Sequence, residues 1–143
     1  MTICTYKREK LFGDIVDGEM VVNGVGKIVN NVWFSLPEHH GIELDVFQIM
    51  PNHTHGILIF SSIDTGIARN APTFGNVIAG SLASIIRSFK SEISKQIHTI
   101  NPSIQIWQRN YYDHIIRDES DMNRIKEYIQ TNPSNWEKDK LFS

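Results

Sequence analysis

The chain has 143 residues, of which 41% are hydrophobic and 21% are charged. These proportions are ordinary for a globular protein, and the length suits one domain with its own core, so a disordered or fibrous chain is excluded. The formal net charge of −2 argues against nonspecific coating of duplex DNA, which needs a broadly basic surface. The single cysteine, Cys4, excludes an internal disulfide and a cysteine zinc cluster. Because the sequence has no bilayer-length apolar stretch and no signal-peptide pattern, we expect a cytoplasmic protein with no membrane partner.

The first half of the chain predicts a strand, a helix and a β-hairpin. Residues 2–6 alternate as a strand does, and the apolar residues within 21–33 have helical spacing. We expect this helix to end before Pro37. Residues 42–50 and 53–60 both have strand character, and the Pro-Asn pair between them predicts a tight turn.

The second half predicts two helices separated by a strand-like region. Residues 61–76 are rich in Gly, Pro, Ser and Asn and predict a loop, whereas residues 74–98 have one apolar helical stripe with a basic flank. Residues 104–117 have short strand-like ends around a polar turn. The final helix begins at capping residues and is expected to stop at Asn132-Pro133. The order β, α, β, β, α, β, α predicts an α+β domain with a mostly antiparallel sheet.

Two histidines lie one residue apart in the predicted strand at 53–60. Residues two apart in a strand project from the same face, so His53 and His55 can direct their imidazoles at one cation. A metal site would need at least a third ligand. The alternative is a hydrogen-bonded pair at a strand edge, and this pattern alone does not decide between the two.

The last predicted helix places a hydroxyl and an amide on one face. Tyr128 and Asn132 are four residues apart and therefore lie about one helical turn from each other. In the alternative interpretation, Tyr128 packs in an apolar stripe with Ile125 and Ile129, and Asn132 caps the helix.

Residues 107–117 mix aromatic and cationic side chains, a combination typical of contacts to single-stranded nucleic acid. The alternative is a half-buried hairpin whose aromatic residues belong to the core. Basic residues of the second helix predict either a solvated helix face or a track for backbone phosphates. The candidate DNA-binding residues are Arg87, Lys90, Arg109, Tyr112, His114 and Arg117.

Four stretches carry a resemblance to a known family: "MPNHTHGIL", "IIRSFKSEISK", "IWQRNYYDHIIRDE" and "RIKEYIQTNPSNW". In this order and spacing they resemble the REP-associated tyrosine transposases, a branch of the single-tyrosine HUH transposases, over nearly the whole chain. The resemblance implies a ferredoxin-like α+β fold, with an antiparallel sheet and helices packed on one face. It implies that residues 1–143 form a single HUH transposase domain. Relatives usually carry a further N-terminal segment, so the domain is expected to be truncated there.

The resemblance also implies a chemistry. His53, His55 and Asn132 match ligands of a divalent metal, Mg²⁺ or Mn²⁺, and Tyr128 matches the nucleophile. The expected partner is single-stranded or hairpin DNA, cut to leave a 5′-phosphotyrosine and a free 3′-OH and resealed by the reverse reaction. The expected location is the bacterial cytoplasm. Whether the chain acts as a monomer or as a homodimer stays open. Thr54 departs from the family pattern, in which a bulky hydrophobic residue is usual between the histidines.

Three other functions compete with this one. A replication or conjugation nickase of the HUH class would use Tyr111 and Tyr112 as nucleophiles. A hairpin-DNA-binding module without catalysis would bind DNA in the presence of a chelator and cleave nothing. A metal-dependent hydrolase of small molecules would need acidic ligands near the histidine pair, and the sequence offers none there.

Overall fold

The computed structural model describes residues 1–60 and 76–138 of the chain. In chain order its strands are β1 (Thr2–Cys4), β2 (Gly13–Val16), β3 (Glu19–Val22), β4 (Ile42–Met50) and β5 (His53–Phe60). Its helices are α1 (Gly24–His39), α2 (Asn76–His98) and α3 (Glu119–Thr131), with short 3-10 helices at Tyr6–Arg8 and Pro133–Lys138. The loop predicted at 61–76 lies outside the described residues except for its last position.

The main sheet is antiparallel and has the strand order β1-β5-β4. Residues 104–117 run along the outer edge of β1, where Tyr112 and Thr2 exchange both backbone hydrogen bonds, of 2.7 and 2.9 Å. Trp107 forms a second isolated bridge, to Thr5. The antiparallel α+β fold is confirmed, but the strand predicted within 104–117 is reduced to these two bridges.

Within the described ranges, no helix combines the length and apolar composition needed to cross a bilayer.

The two faces of the sheet have different functions because the residues of β5 point alternately to either side. On one face, Trp33 of α1 stacks on Phe47 with ring centroids 4.2 Å apart and lies directly over Gly56. Helices α1 and α2 cover this face, so the prediction that the helices pack on one face holds for these two and not for α3. On the opposite face, the His55 ring contacts Tyr128 of α3. One strand thus serves both the hydrophobic core and the surface that α3 covers.

Gly56→Ala is expected to destabilise the fold by about 1–3 kcal/mol, because an added methyl group overpacks a close contact in the core. A Cβ atom at Gly56 would lie 2.6 Å from Cη2 of Trp33 and 3.1 Å from Cδ1 of Phe47. Urea unfolding measures the loss. Gly24→Ala is the matched control, since nothing lies within 4 Å of the Cβ it would add. Equal midpoints for the two variants would contradict the close contact.

The predicted helical spacing over residues 21–33 is wrong at its start. Val21 and Val22 belong to β3, which pairs with β2 in a hairpin that the sequence interpretation missed. The turn residues Asp17 and Gly18 have φ values of 52° and 78°, the left-handed conformation that a two-residue hairpin turn requires. Helix α1 begins only after Asn23, whose side-chain oxygen accepts a hydrogen bond from the backbone of the third helical residue.

The predicted end of the helix before Pro37 is also wrong. Helix α1 continues through Pro37 to His39. Proline lacks an N–H group and therefore removes one helical hydrogen bond. The loss falls in the final turn, and the backbone N–H of His40 still bonds to the carbonyl of Leu36 at 3.0 Å.

Candidate active site

The histidine pair converges as the strand spacing predicts. His53 is fully buried and His55 is 4% exposed, and both lie on the face of β5 that α3 covers. Their Nε2 atoms are 3.1 Å apart, with the two rings nearly perpendicular at 78°. Two ring nitrogens therefore face the same point at the centre of the sheet.

A side-chain oxygen contacts Nδ1, the other ring nitrogen, of each imidazole. Nδ1 of His53 lies 2.7 Å from the side-chain oxygen of Asn52, and Nδ1 of His55 lies 2.8 Å from the hydroxyl of Thr2. The sequence interpretation missed both partners. Asn52 could have been found, because it directly precedes His53, whereas Thr2 comes into contact only through the pairing of β1 with β5.

Helix α3 and the 3-10 helix that follows it lie along the histidine pair. The ring of Tyr128 is 5.4 Å from that of His55, and the ring of Trp136 is 6.1 Å from that of His53. Asn132 lies between these two contacts in the chain and is 3% exposed. Its backbone is helical, so it lies on the same side as Tyr128, one turn further on. The predicted amide thus belongs to the element that covers the histidines.

The donor set fits a divalent cation. Two neighbouring ligands of an octahedral ion with bonds of about 2.1 Å are about 3 Å apart, close to the 3.1 Å between the two Nε2 atoms. Among the described residues, no three His, Cys, Asp or Glu side chains cluster. An amide oxygen such as that of Asn132 is a suitable additional ligand. Two imidazoles suit Mn²⁺ or another transition metal better than Mg²⁺.

A cleft of about 200 Å³ opens beside His55. Tyr128 and Tyr112 both line this cleft, and they are 48% and 55% exposed. Tyr111 is half-buried instead and packs against the hydrophobic core. Two phenol groups are therefore accessible next to the histidine pair, and one of them contacts it.

Asp121 bonds to two side chains that line this cleft. Asp121 accepts a hydrogen bond of 2.9 Å from Nε2 of His114 and forms an ion pair with Arg124. The hydrogen bond from His114 is the main reason that the pKa of the Asp121 carboxyl is lowered from its ordinary value. Arg124 lies one turn before Tyr128 and also lines the cleft. The sequence interpretation missed Arg124, although its four-residue spacing from Tyr128 was a usable signal.

The predicted DNA-binding residues fall into separate groups. Tyr112 and His114 line the cleft. The Lys90 ammonium donates to the backbone carbonyls of Gln108 and Asn110, at 3.0 and 3.1 Å, and so links α2 to the segment of residues 104–117. Burial lowers the pKa of Lys90. The other three predicted residues are exposed, and none of them is among the described residues that line the cleft: Arg87, Arg109 and Arg117. Their contact with DNA stays a prediction.

The chain resembles known proteins in sequence and in structure. No family model matches the chain. An uncharacterized protein of Haemophilus influenzae strain Rd is 37% identical over 151 residues, which cover 99% of this chain and 83% of that protein. A second protein of the same strain, provisionally named a REP-associated tyrosine transposase, is 26% identical over 102 residues, covering 67% of this chain and 52% of its own length.

A solved structure shares the fold. It is a REP-associated tyrosine transposase bound to a REP hairpin, with a TM-score of 0.59 and 18% identity, and the match covers 94% of this chain and 65% of that one. The chain therefore spans about half the length of the transposase relative and about two thirds of the solved protein. The chain is thus similar in sequence to a protein provisionally named a REP-associated tyrosine transposase, and it shares its fold with a solved one.

Proposed function

We propose that the chain binds single-stranded hairpin DNA and cleaves and rejoins it with a divalent metal, using Tyr128 as the nucleophile. One observation carries the proposal. The accessible phenol ring of Tyr128 lies 5.4 Å from the ring of His55, on the face where two histidine Nε2 atoms converge within 3.1 Å. The proposed nucleophile thus lies beside the proposed cation-binding pair and lines the same cleft as His55, an arrangement that suits phosphoryl transfer to a side chain.

In the proposed reaction the oxygen of Tyr128 attacks a phosphodiester phosphorus. A bond forms between the phenol oxygen and phosphorus, the bond from phosphorus to the 3′ oxygen breaks, and that oxygen leaves as a 3′-OH. A free phenol has a pKa of about 10 and is protonated at neutral pH, so Tyr128 gives up its proton to water during the attack, and the leaving 3′ oxygen takes up a proton from water. The 5′ end stays attached as a phosphotyrosine. Attack by a 3′-OH reverses these changes, so the bond energy is kept for strand joining.

The proposed metal ligands are His53, His55 and Asn132. When bound there, a divalent ion supplies positive charge that stabilises the non-bridging phosphate oxygens. The protein itself supplies the position of the nucleophile. Buried Ile129 fixes the neighbouring turn of α3, and the ring of Trp136 stacks against that of His53.

The same cleft offers groups that suit single-stranded DNA. Arg124 presents a guanidinium group for a backbone phosphate, and the exposed ring of Tyr112 offers a surface on which a base can stack. The solved relative is bound to a REP hairpin, which makes hairpin DNA the proposed substrate class. With a net charge of −2, the chain is expected to bind DNA through local contacts.

One competing function keeps a specific observation in its favour. In a nickase, Tyr112 would be the nucleophile, and it is exposed in the same cleft as His55. Tyr111 is half-buried and is therefore a weaker candidate for the nucleophile of a nickase. Tyr112 also belongs to the backbone bridge with Thr2, whereas Tyr128 has the ring contact with the histidine pair. We therefore favour Tyr128.

The first experiment incubates the protein with a labelled single-stranded hairpin oligonucleotide and Mn²⁺ and resolves the products on a denaturing gel. A covalent protein–DNA adduct is expected, and EDTA should abolish it because the reaction depends on the metal. An oligonucleotide of the same composition that forms no hairpin is the control. Hairpin binding that is insensitive to EDTA, without an adduct, would support the non-catalytic binding module instead.

A further inference from the structure

We infer that Asn52 and Thr2 are positioning residues that orient the two histidine rings toward the cation. The inference rests on the metal dependence of the proposed function. Metal-binding histidines generally donate the hydrogen of the second ring nitrogen to a neighbouring acceptor, which fixes the orientation of the ring and its tautomer. Both histidines here have a side-chain oxygen within 2.8 Å of Nδ1, and both direct Nε2 at the shared point.

The amide of Asn52 has a fixed direction. Its Nδ2 points to the carbonyl of Arg8 at 3.4 Å, so its Oδ1 faces His53. The backbone carbonyl of Asn52 accepts hydrogen bonds from both the N–H and the hydroxyl of Thr5, at 3.0 and 3.1 Å. An amide oxygen can only accept, so Nδ1 of His53 donates. The lone pair of His53 is then on Nε2, where a cation can use it.

Thr2 differs from Asn52 because a hydroxyl can either donate or accept. Without a cation, Nε2 of His55 donates to Nε2 of His53 across 3.1 Å, and the hydroxyl of Thr2 donates to Nδ1 of His55. With a cation, His55 needs its lone pair on Nε2, and Nδ1 then donates to the same hydroxyl. Thr2 can therefore hold the ring in place in both states without movement of the strand.

Asn52 and Thr2 also contribute to the fold, so the test needs a readout that a purely structural role would not change. That readout is the Mn²⁺ affinity of the folded protein, measured from the electron paramagnetic resonance signal of free Mn²⁺ in a titration without DNA. Asn52→Leu and Thr2→Val remove the acceptors. Asn52→Asp keeps an acceptor at the same position, and a carboxylate accepts strongly.

Asn52→Leu and Thr2→Val are each expected to weaken Mn²⁺ binding by about 10–100-fold, the usual effect of removing such a partner. Asn52→Asp should stay within about tenfold of the wild-type affinity. The matched control is Thr54→Val, the same replacement at a buried position between the histidines but on the opposite face of β5. The hydroxyl of Thr54 has no hydrogen-bond partner among the described residues, so this variant should keep both its fold and its affinity.

The outcomes separate this inference from the proposed function. A wild-type chain that fails to bind Mn²⁺ would contradict the metal-dependent function itself. A wild-type chain that binds, with affinities unchanged in Asn52→Leu and Thr2→Val, would overturn only the positioning role. If Asn52→Leu fails to fold by circular dichroism, Thr2→Val decides alone, because Thr2 is half-buried on the short strand β1 and valine has the same shape.

Discussion

Replacing Tyr128 by phenylalanine is expected to abolish the covalent DNA adduct, a loss of at least about 10³-fold in the rate of adduct formation. The variant removes only the phenol oxygen that would bond to phosphorus. The ring contact with His55 involves the aromatic carbons and should persist, and Tyr128 is 48% exposed, so the fold should be unaffected. The measurement is the labelled adduct on a denaturing gel, with hairpin binding followed in parallel by gel shift.

The same assay decides between the two tyrosines of the cleft. Tyr112→Phe should still form the adduct, since its oxygen takes no part in the proposed reaction. An adduct that survives in Tyr128→Phe and disappears in Tyr112→Phe would reject the assigned nucleophile and support a nickase. Proteolysis of the adduct and mass spectrometry of the DNA-linked peptide identify the attached residue independently.

His55→Ala is expected to weaken Mn²⁺ binding by at least about 100-fold and to remove the detectable adduct. Loss of a ligand should cost more than the 10–100-fold typical of a residue that only orients one. Hairpin binding should fall less than cleavage, because Arg124 and Tyr112 remain in the cleft. The checks are the Mn²⁺ titration, the adduct assay and the gel shift on one preparation.

His39→Ala is the matched control for this substitution. His39 is exposed in the last turn of α1 and does not line the cleft, so its replacement should leave both metal affinity and adduct formation unchanged. An active His55→Ala variant with wild-type Mn²⁺ affinity would exclude the histidine pair as the metal site. It would leave the hydrogen-bonded pair at a strand as the correct interpretation.

Several features that depend on local sequence were predicted correctly. The strands at 42–50 and 53–60 and their turn match β4 and β5 to the residue, and helix α3 ends where Asn132-Pro133 predicts. The convergence of His53 and His55 follows from strand geometry alone. These features need no information about distant parts of the chain, because neighbouring residues determine which way each side chain points.

The errors have physical causes. Valine favours strands, yet the pair at 21 and 22 also fits the apolar spacing of the helix that follows, so only the Asp17-Gly18 turn separates the two interpretations. Residues 104–117 pair with the edge of β1 at two points, and such an irregular edge leaves no alternating pattern to read. The contact of Thr2 with His55 joins residues 53 positions apart, and strand register fixes it.

The alternation of β5 also makes assembly of the site inseparable from closure of the core. A one-residue slip of β5 would exchange its two faces and turn the imidazoles of His53 and His55 toward the indole of Trp33. The space beneath that indole accepts a residue without a side chain, and even a methyl group there would lie 2.6 Å from the ring. The indole of Trp33 therefore tolerates only the strand register that places Gly56 beneath it. A misaligned strand cannot produce a packed but inactive protein, because the alignment that admits Gly56 beneath Trp33 is the one that brings the two imidazoles together.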